Sequence, residues 1–196
     1  MFVFLADSKK QDMKEFSVEK FFDPVKRPKI DDDLNEKMKN SMDIVHRMAC
    51  TLNHSLYVID YLKQSFVYVS PDKLFLCGYS VEQVLEWGFY TRVVPENDLR
   101  RLLEINKAGF DFYYKLPIEK RYMYSIEYDF DLVHINKKVT RVNQRLIPLI
   151  INKAGDLWLA VCVVTPLYSK AKNKTIIKNF NTGEQFIYQE KEKFWY

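Results

Sequence analysis

From Tyr122 to Val133 the chain alternates. Tyr122, Tyr124, Ile126, Tyr128, Phe130 and Leu132 interleave with Met123, Ser125, Glu127, Asp129, Asp131 and Val133. Side chains on a strand change face at every residue, so this is a strand with one ring-rich face and one mostly acidic face. A second run, Val139 to Ile151, ends at Asn152-Lys153-Ala154-Gly155-Asp156, a strong turn signal. A third, Leu157 to Val164, is apolar on both faces, as suits a central strand. The three runs predict an antiparallel meander.

Charge sets the register. If Val133 faces Val139, then Asp131 meets Arg141, Asp129 meets Asn143, Tyr128 meets Gln144 and Glu127 meets Arg145. Opposite charges then meet, each pair contributing ~0.2–1 kcal/mol. A slip of one residue would turn Tyr128 and Phe130 to the wrong face. One face should carry Tyr124, Ile126, Tyr128, Phe130, Val142, Leu146, Trp158, Ala160 and Cys162. The other has the charge ladder at one end and Ile147, Leu149, Leu159, Val161 and Val163 at the other. That much contiguous apolar surface calls for a cover, from another part of the chain or from a second subunit.

Upstream, Asp31-Asp32-Asp33 opens a helix, with acids at the favourable end of its dipole. Met38, Met42, Val45, Ala49 and Leu52 follow at alternating spacings of four and three, a heptad-like seam. This amphipathic helix either lies on its own domain or helps to pair two subunits. Ser55 to Tyr61 and Ser65 to Ser70 read as a hairpin, and Pro71 stops its second strand. Short helical pieces follow at Asp72 to Cys77 and at Val81 to Trp87, the latter opened by Ser80 as N-cap. Pro95, Glu96 and Asp98 start a longer helix. Its periodic positions are Leu99, Leu102, Leu103, Asn106, Phe110 and Tyr113, and Pro117 closes it. Gly109 within it implies a kink or a close contact. Downstream, Thr175 to Phe180 and Glu184 to Gln189 form a second hairpin about Asn181-Thr182-Gly183. The closing Phe194-Trp195-Tyr196 should be covered or followed by something.

Composition narrows the classes. The chain has 196 residues, 47% hydrophobic and 15% aromatic, enough for one ring-rich core. Five glycines and no Gly-rich motif argue against a phosphate-cradling loop. A net charge of +4 is too weak to imply nucleic acid by itself. Cys50, Cys77 and Cys162 form no metal-ligand pattern and read as reduced, buried thiols. No apolar run approaches the ~20 residues that span a bilayer. A cytoplasmic protein without membrane attachment is expected.

The element order and several motifs resemble a PAS domain. Tyr57-Val58-Ile59-Asp60 and Phe66-Val67-Tyr68-Val69-Ser70 look like its first two strands, and Leu74 to Ser80 like the turn after them. Val94-Pro95-Glu96-Asn97-Asp98-Leu99 looks like the family's Pro-x-x-Asp signature, and Asn152 to Asp156 like the turn before the last strand. More narrowly, Asn53 to Tyr61, Leu103 to Phe112 and Leu157 to Cys162 resemble the N-terminal sensor regions of LuxR-type transcription regulators of Bacteroides-like bacteria. The resemblance implies an α+β fold, a five-stranded antiparallel sheet with helices on one face. To this the chain adds an N-terminal helix and a C-terminal hairpin. The organisation expected is an irregular arm over 1–32, the amphipathic helix over 33–54, the PAS-like sensor over 55–167 and a linker with hairpin over 168–196. The family's DNA-binding helix-turn-helix would follow the sensor, so DNA is expected only through a part that this chain does not contain.

Candidate chemistry is sparse. Glu127, Asp129 and Asp131 are better explained by the Arg141 and Arg145 ladder than as metal ligands. His46, His54 and His134 are scattered, and the main helix has no His to hold haem. The surroundings of Cys77 lack a flavin-domain motif. No cofactor, metal site or catalytic set is expected. Gln144 is different, a polar residue on the ring-rich face that needs hydrogen-bond partners. Tyr128, Gln144, Asn106 and Phe110 are the expected lining of any small-molecule pocket between sheet and main helix. Met42, Val45, Ile147, Leu159 and Val161 are the expected outer-face residues of a homodimer. Lys170, Lys172, Lys174 and Lys178 read as a solvated linker.

Overall fold

The computed structural model describes residues 17–30, 32–52, 54–86, 88–168 and 174–196. Strands β1 (Ser55–Asp60) and β2 (Ser65–Val69) form the first hairpin. Three short helices follow: α2 (Lys73–Leu76), α3 (Val81–Leu85) and α4 (Phe89–Val93). Ser80 caps α3 in a reciprocal capping box with Gln83, as its position before Val81 predicts. The long helix α5 (Glu96–Lys115) leads to β3 (Tyr124–Val133), β4 (Val139–Ile151) and β5 (Leu157–Pro166). The order β2-β1-β5-β4-β3, antiparallel at each pairing, is the α+β, PAS-like arrangement that the motifs imply.

The register of β3 on β4 is the one that charge dictates. Val133 pairs with Val139, Asp131 with Arg141, Asp129 with Asn143, Tyr128 with Gln144 and Glu127 with Arg145. Ion pairs of 2.9 Å (Asp131–Arg141) and 2.7 Å (Glu127–Arg145) span the outer face. The ladder is partly buried. Asp129 is 5% exposed, accepting from Asn143 Nδ2 at 2.8 Å and from the Lys174 backbone N–H at 3.4 Å.

Two apolar clusters sandwich the sheet. On the concave face, Tyr57, Phe75, Phe89, Leu102, Ile105, Phe110, Phe130 and Leu146 join sheet to helices α2 to α5. Gly109 lets α5 approach β3, since a Cβ there would lie 2.8 Å from Ile126 Cδ1. On the convex face lies α1 (Asp32–Leu52), whose Leu34, Val45 and Ala49 pack on Leu56, Val58, Ile150, Trp158 and Leu159. The chain's own helix is thus a cover for this surface. The end of the expected seam differs, because Leu52 is 50% exposed at the helix terminus.

Trp158 also departs from expectation and belongs to the convex cluster. The β4–β5 pairing is irregular there, running from Pro148↔Ala160 to Ile150↔Leu159 to Ile151↔Leu157. Pro148 has no N–H to give the ladder, and a bulge beside it breaks strict alternation.

The C-terminal segment continues the sheet. Strand β6 (Thr175–Asn179) pairs with β3, β7 (Gln185–Gln189) with β6, and β8 (Phe194–Trp195) with β7, giving eight strands. This extension packs on α5. Trp195 Nε1 donates to the Ala108 carbonyl at 3.3 Å, Phe112 and Phe186 rings lie 4.9 Å apart, and Arg101 pairs with Glu190 at 3.1 Å. Trp195 is therefore half-buried, while Phe194 and Tyr196 remain exposed. Lys178 lies within β6, half-buried, and Lys170 and Lys172 fall outside the described residues. Of the three cysteines, Cys77 and Cys162 are buried, but Cys50 is exposed on α1.

Candidate functional site

Gln144 sits in the middle of β4, pointing from the concave face, with no solvent exposure. Its oxygen accepts from the hydroxyls of Tyr57 on β1 and Tyr90 on α4, the latter at 3.0 Å. Its amide nitrogen donates to the hydroxyl of Tyr128, its cross-strand neighbour on β3. The Tyr57 and Tyr90 hydroxyls also touch each other. Four residues from three strands and one helix thus satisfy a polar group in the apolar core. The network is neutral. Burial holds the hydroxyls of Tyr57, Tyr90 and Tyr128 well above the ordinary tyrosine range. Burial also pushes the nearby Cys162 thiol up to about 12.

Two cavities flank this network and share Asn106, Tyr128 and Leu146 as walls. The first holds about 60 Å³ of water-accessible space, near Tyr61, Phe66 and Tyr90. The second holds about 50 Å³, between α5 and the sheet near Phe110, Tyr113 and Ile177. Neither lining contains Lys, Arg or His, and the charged member of the first is Glu86, ion-paired to Arg92 at 2.9 Å.

The first cavity is partly covered by the chain itself. Val18–Phe21 forms a 3-10 turn and the segment after it crosses the helical side. The Phe21 ring stacks on Tyr90 with centroids 5.9 Å apart, and Phe22 meets Tyr61 edge-on at 5.9 Å. Asn106 Nδ2 donates to the Phe21 carbonyl at 2.6 Å. The Lys26 backbone N–H donates to Tyr114 Oη at 2.9 Å, and its ammonium lies 5.0 Å from that ring. The strap ends at Ile30, which packs on the convex cluster at the start of α1.

The structure therefore brings Tyr128, Asn106 and Phe110 to one pair of adjoining cavities, with Gln144 bonded to Tyr128 behind them. Asn106 lines both cavities, and one of its amide N–H groups is taken by the Phe21 carbonyl. Tyr57, Tyr61, Tyr90 and Phe21 were not legible as site residues. Tyr90 follows Gly88, an αL residue, on a helix too short to show periodicity. Phe21 lies in an arm without periodic pattern. A tyrosine in the apolar run of β1 was the available signal, since a buried hydroxyl requires a partner.

No family model matches the chain, and no curated protein matches it. Two solved structures are similar in chain path. One is a sensory box histidine kinase/response regulator from Burkholderia thailandensis E264, 18% identical, covering 61% of this chain and 81% of that one at a TM-score of 0.41. The other is RsLOV D109G, 18% identical, covering 73% of each chain at a TM-score of 0.44.

The expected outer-face residues divide. Val45 and Leu159 are buried between α1 and the sheet, whereas Met42, Ile147 and Val161 are half-buried. Beside them Ile44, Met48 and Leu52 form a row on α1, each about half exposed. Among the described residues, no cluster of His, Cys, Asp and Glu is placed to hold a metal ion, and no helix is long and apolar enough to cross a membrane.

Proposed function

We propose that the chain is a signal-sensing PAS module, the regulatory part of a LuxR-type cytoplasmic transcription regulator, and that it responds to a small molecule held in the concave face. One observation carries the reading: a neutral polar network centred on the fully buried Gln144 and Tyr57 stands beside two cavities, the first of them lined by Phe21 and Phe22 of the strap that precedes α1. A module built only to associate would have a filled core. Here space remains against Tyr128 and Phe110.

The coupling follows the chain. A molecule entering the first cavity meets Phe21 and Phe22, and movement of the strap is transmitted through Ile30 to α1 on the opposite face. Such a molecule shifts the equilibrium only by its difference in affinity between the two strap positions. Homodimerisation is part of the proposal. With Val45 and Leu159 covered, the surface it would use is the Ile44, Met48 and Leu52 row with half-buried Met42, Ile147 and Val161. In this reading DNA contact is made through a helix-turn-helix, and the sensor fold supplies only its regulation. No catalytic step is part of the proposal, in which the protonated tyrosine hydroxyls serve as hydrogen-bonding groups. Haem and flavin do not enter either, as the linings offer neither an imidazole ligand nor a cation for carboxylates or phosphate.

Native mass spectrometry of the purified chain, paired with amide exchange over 17–52, tests this. A retained small molecule whose removal alters exchange in α1 is expected. Cavities that bind nothing, with α1 exchange indifferent to every compound offered, would refute it.

A further inference from the structure

The chain already places two rings against the first cavity, and they show what a diffusible occupant resembles. Phe21 lies over Tyr90, Phe22 stands on the edge of Tyr61, and the Phe66 and Tyr90 centroids are 5.5 Å apart. The wall is shaped for flat aromatic groups in offset or edge-on contact.

Its hydrogen-bonding capacity is not used up. Tyr61 is 4% exposed and lines this cavity, yet its hydroxyl has no hydrogen-bond partner among the described residues. Tyr128 accepts from Gln144, and among the described residues no acceptor takes its own O–H. Asn106 spends one amide N–H on the Phe21 carbonyl. With the second N–H of Asn106, three donors are therefore open now and a fourth is freed when the strap leaves, and the lining also holds the Gln64 amide and the Ser65 hydroxyl, so the set suits an acceptor such as a carbonyl oxygen. A carboxylate would be buried there without a cation, which the interior does not tolerate.

Size completes the argument. About 60 Å³ is the liquid volume of roughly two water molecules, too little for a substituted ring. The missing space is what the Phe21 and Phe22 side chains fill.

We propose that this cavity binds an uncharged, single-ring aromatic carbonyl compound, which enters by displacing the Phe21 and Phe22 rings. The inference rests on the sensor reading above and names its ligand class. Binding exchanges an internal plug for an external one, so plug strength sets the affinity.

Acetophenone, ethylbenzene and benzoate, titrated into the full chain by ligand-observed NMR, test it. Proteolysis after Lys20 and Lys26 follows the strap. Acetophenone is expected to bind and to speed that cleavage, and benzoate to do neither. Tyr61→Phe should weaken acetophenone about tenfold and ethylbenzene less than twofold, the loss of one hydrogen bond. Phe22→Ala should tighten acetophenone by weakening its competitor. Benzoate binding as well as acetophenone, or acetophenone bound with the strap still protected, overturns the proposal. So does failure of acetophenone to bind both the parent and Phe22→Ala. A charged or ringless molecule retained from the expressing cell, altering α1 exchange, would overturn this ligand class while leaving the sensor reading intact.

Discussion

Asn106 on α5 and Phe21 in the strap are joined by a 2.6 Å hydrogen bond from the side-chain amide to the backbone carbonyl. The contact ties the middle of the long helix to the segment that covers the first cavity. Asn106→Ala should cost about 1 kcal/mol and loosen the strap. Asn106→Asp should loosen it further, because a carboxylate then faces a carbonyl with no hydrogen between them. Trypsin cleavage after Lys20 and Lys26, ranked Asp above Ala above the parent, checks this, and equal rates would refute it.

Gln144 is the hub of the tyrosine network. Replacing it with Leu leaves three buried hydroxyls short of a partner and should cost about 1–3 kcal/mol in urea unfolding. Gln144→Glu keeps the shape but buries a carboxylate without a cation, so a larger loss is expected. That loss should shrink as pH is lowered and the new side chain is protonated. A glutamate variant as stable as the parent at neutral pH would contradict the buried, neutral description.

Alkaline pH should unfold this protein early. Tyr57, Tyr61, Tyr90 and Tyr128 all have hydroxyls raised by burial, so the folded chain keeps protons that the unfolded chain releases. Their stabilising contribution is complete below the unfolded value of about 10 and is lost as pH rises toward the folded values. Cys77 and Cys162, both pushed up to about 12 by burial, add a decline that starts from their ordinary value of 9.0. Melting followed by tyrosinate absorbance should show Tm falling above about pH 9–10. At pH 8 a thiol reagent should label Cys50 quickly, and Cys77 and Cys162 only on unfolding.

Gly155 has φ +83° in the turn before β5, and a Cβ there would clash with Arg121 Nη1. Arg121 is itself buried, donating to the carbonyls of Gly155 at 2.6 Å and Tyr114 at 3.1 Å. Gly155→Ala combines left-handed strain with loss of that contact, and a cost of about 2 kcal/mol or more is expected. Thermal melting beside Gly183→Ala is the comparison. Gly183 has φ +75° but open space around it, so only the strain should register.

If the exposed α1 row pairs two chains, Met48→Glu should shift a dimer to monomer in light scattering without lowering Tm. A parent already monomeric at high concentration would remove the dimer from the proposal.

How far the sequence led depended on periodicity. The β3–β4 register was legible residue by residue, because charge and alternation gave independent answers that agreed. Gln144 was legible as a buried amide, and Tyr128 as its neighbour. Trp158 was misplaced because Pro148 interrupts the ladder and alternation no longer counts faces. Tyr90 and Phe21 were missed because a five-residue helix and an irregular strap have no period to read. Their roles come from contacts between segments far apart in the chain.

The wrap of β6 to β8 around α5 has a mechanical consequence. Trp195 grips the helix backbone at Ala108, Phe186 presses on Phe112, and Glu190 clamps Arg101. A helix gripped at three heights cannot swing as a rod, so it serves as the anvil of the molecule. On the proposed sensor reading, displacement at the cavities is left to the strap that carries Phe21 and Phe22.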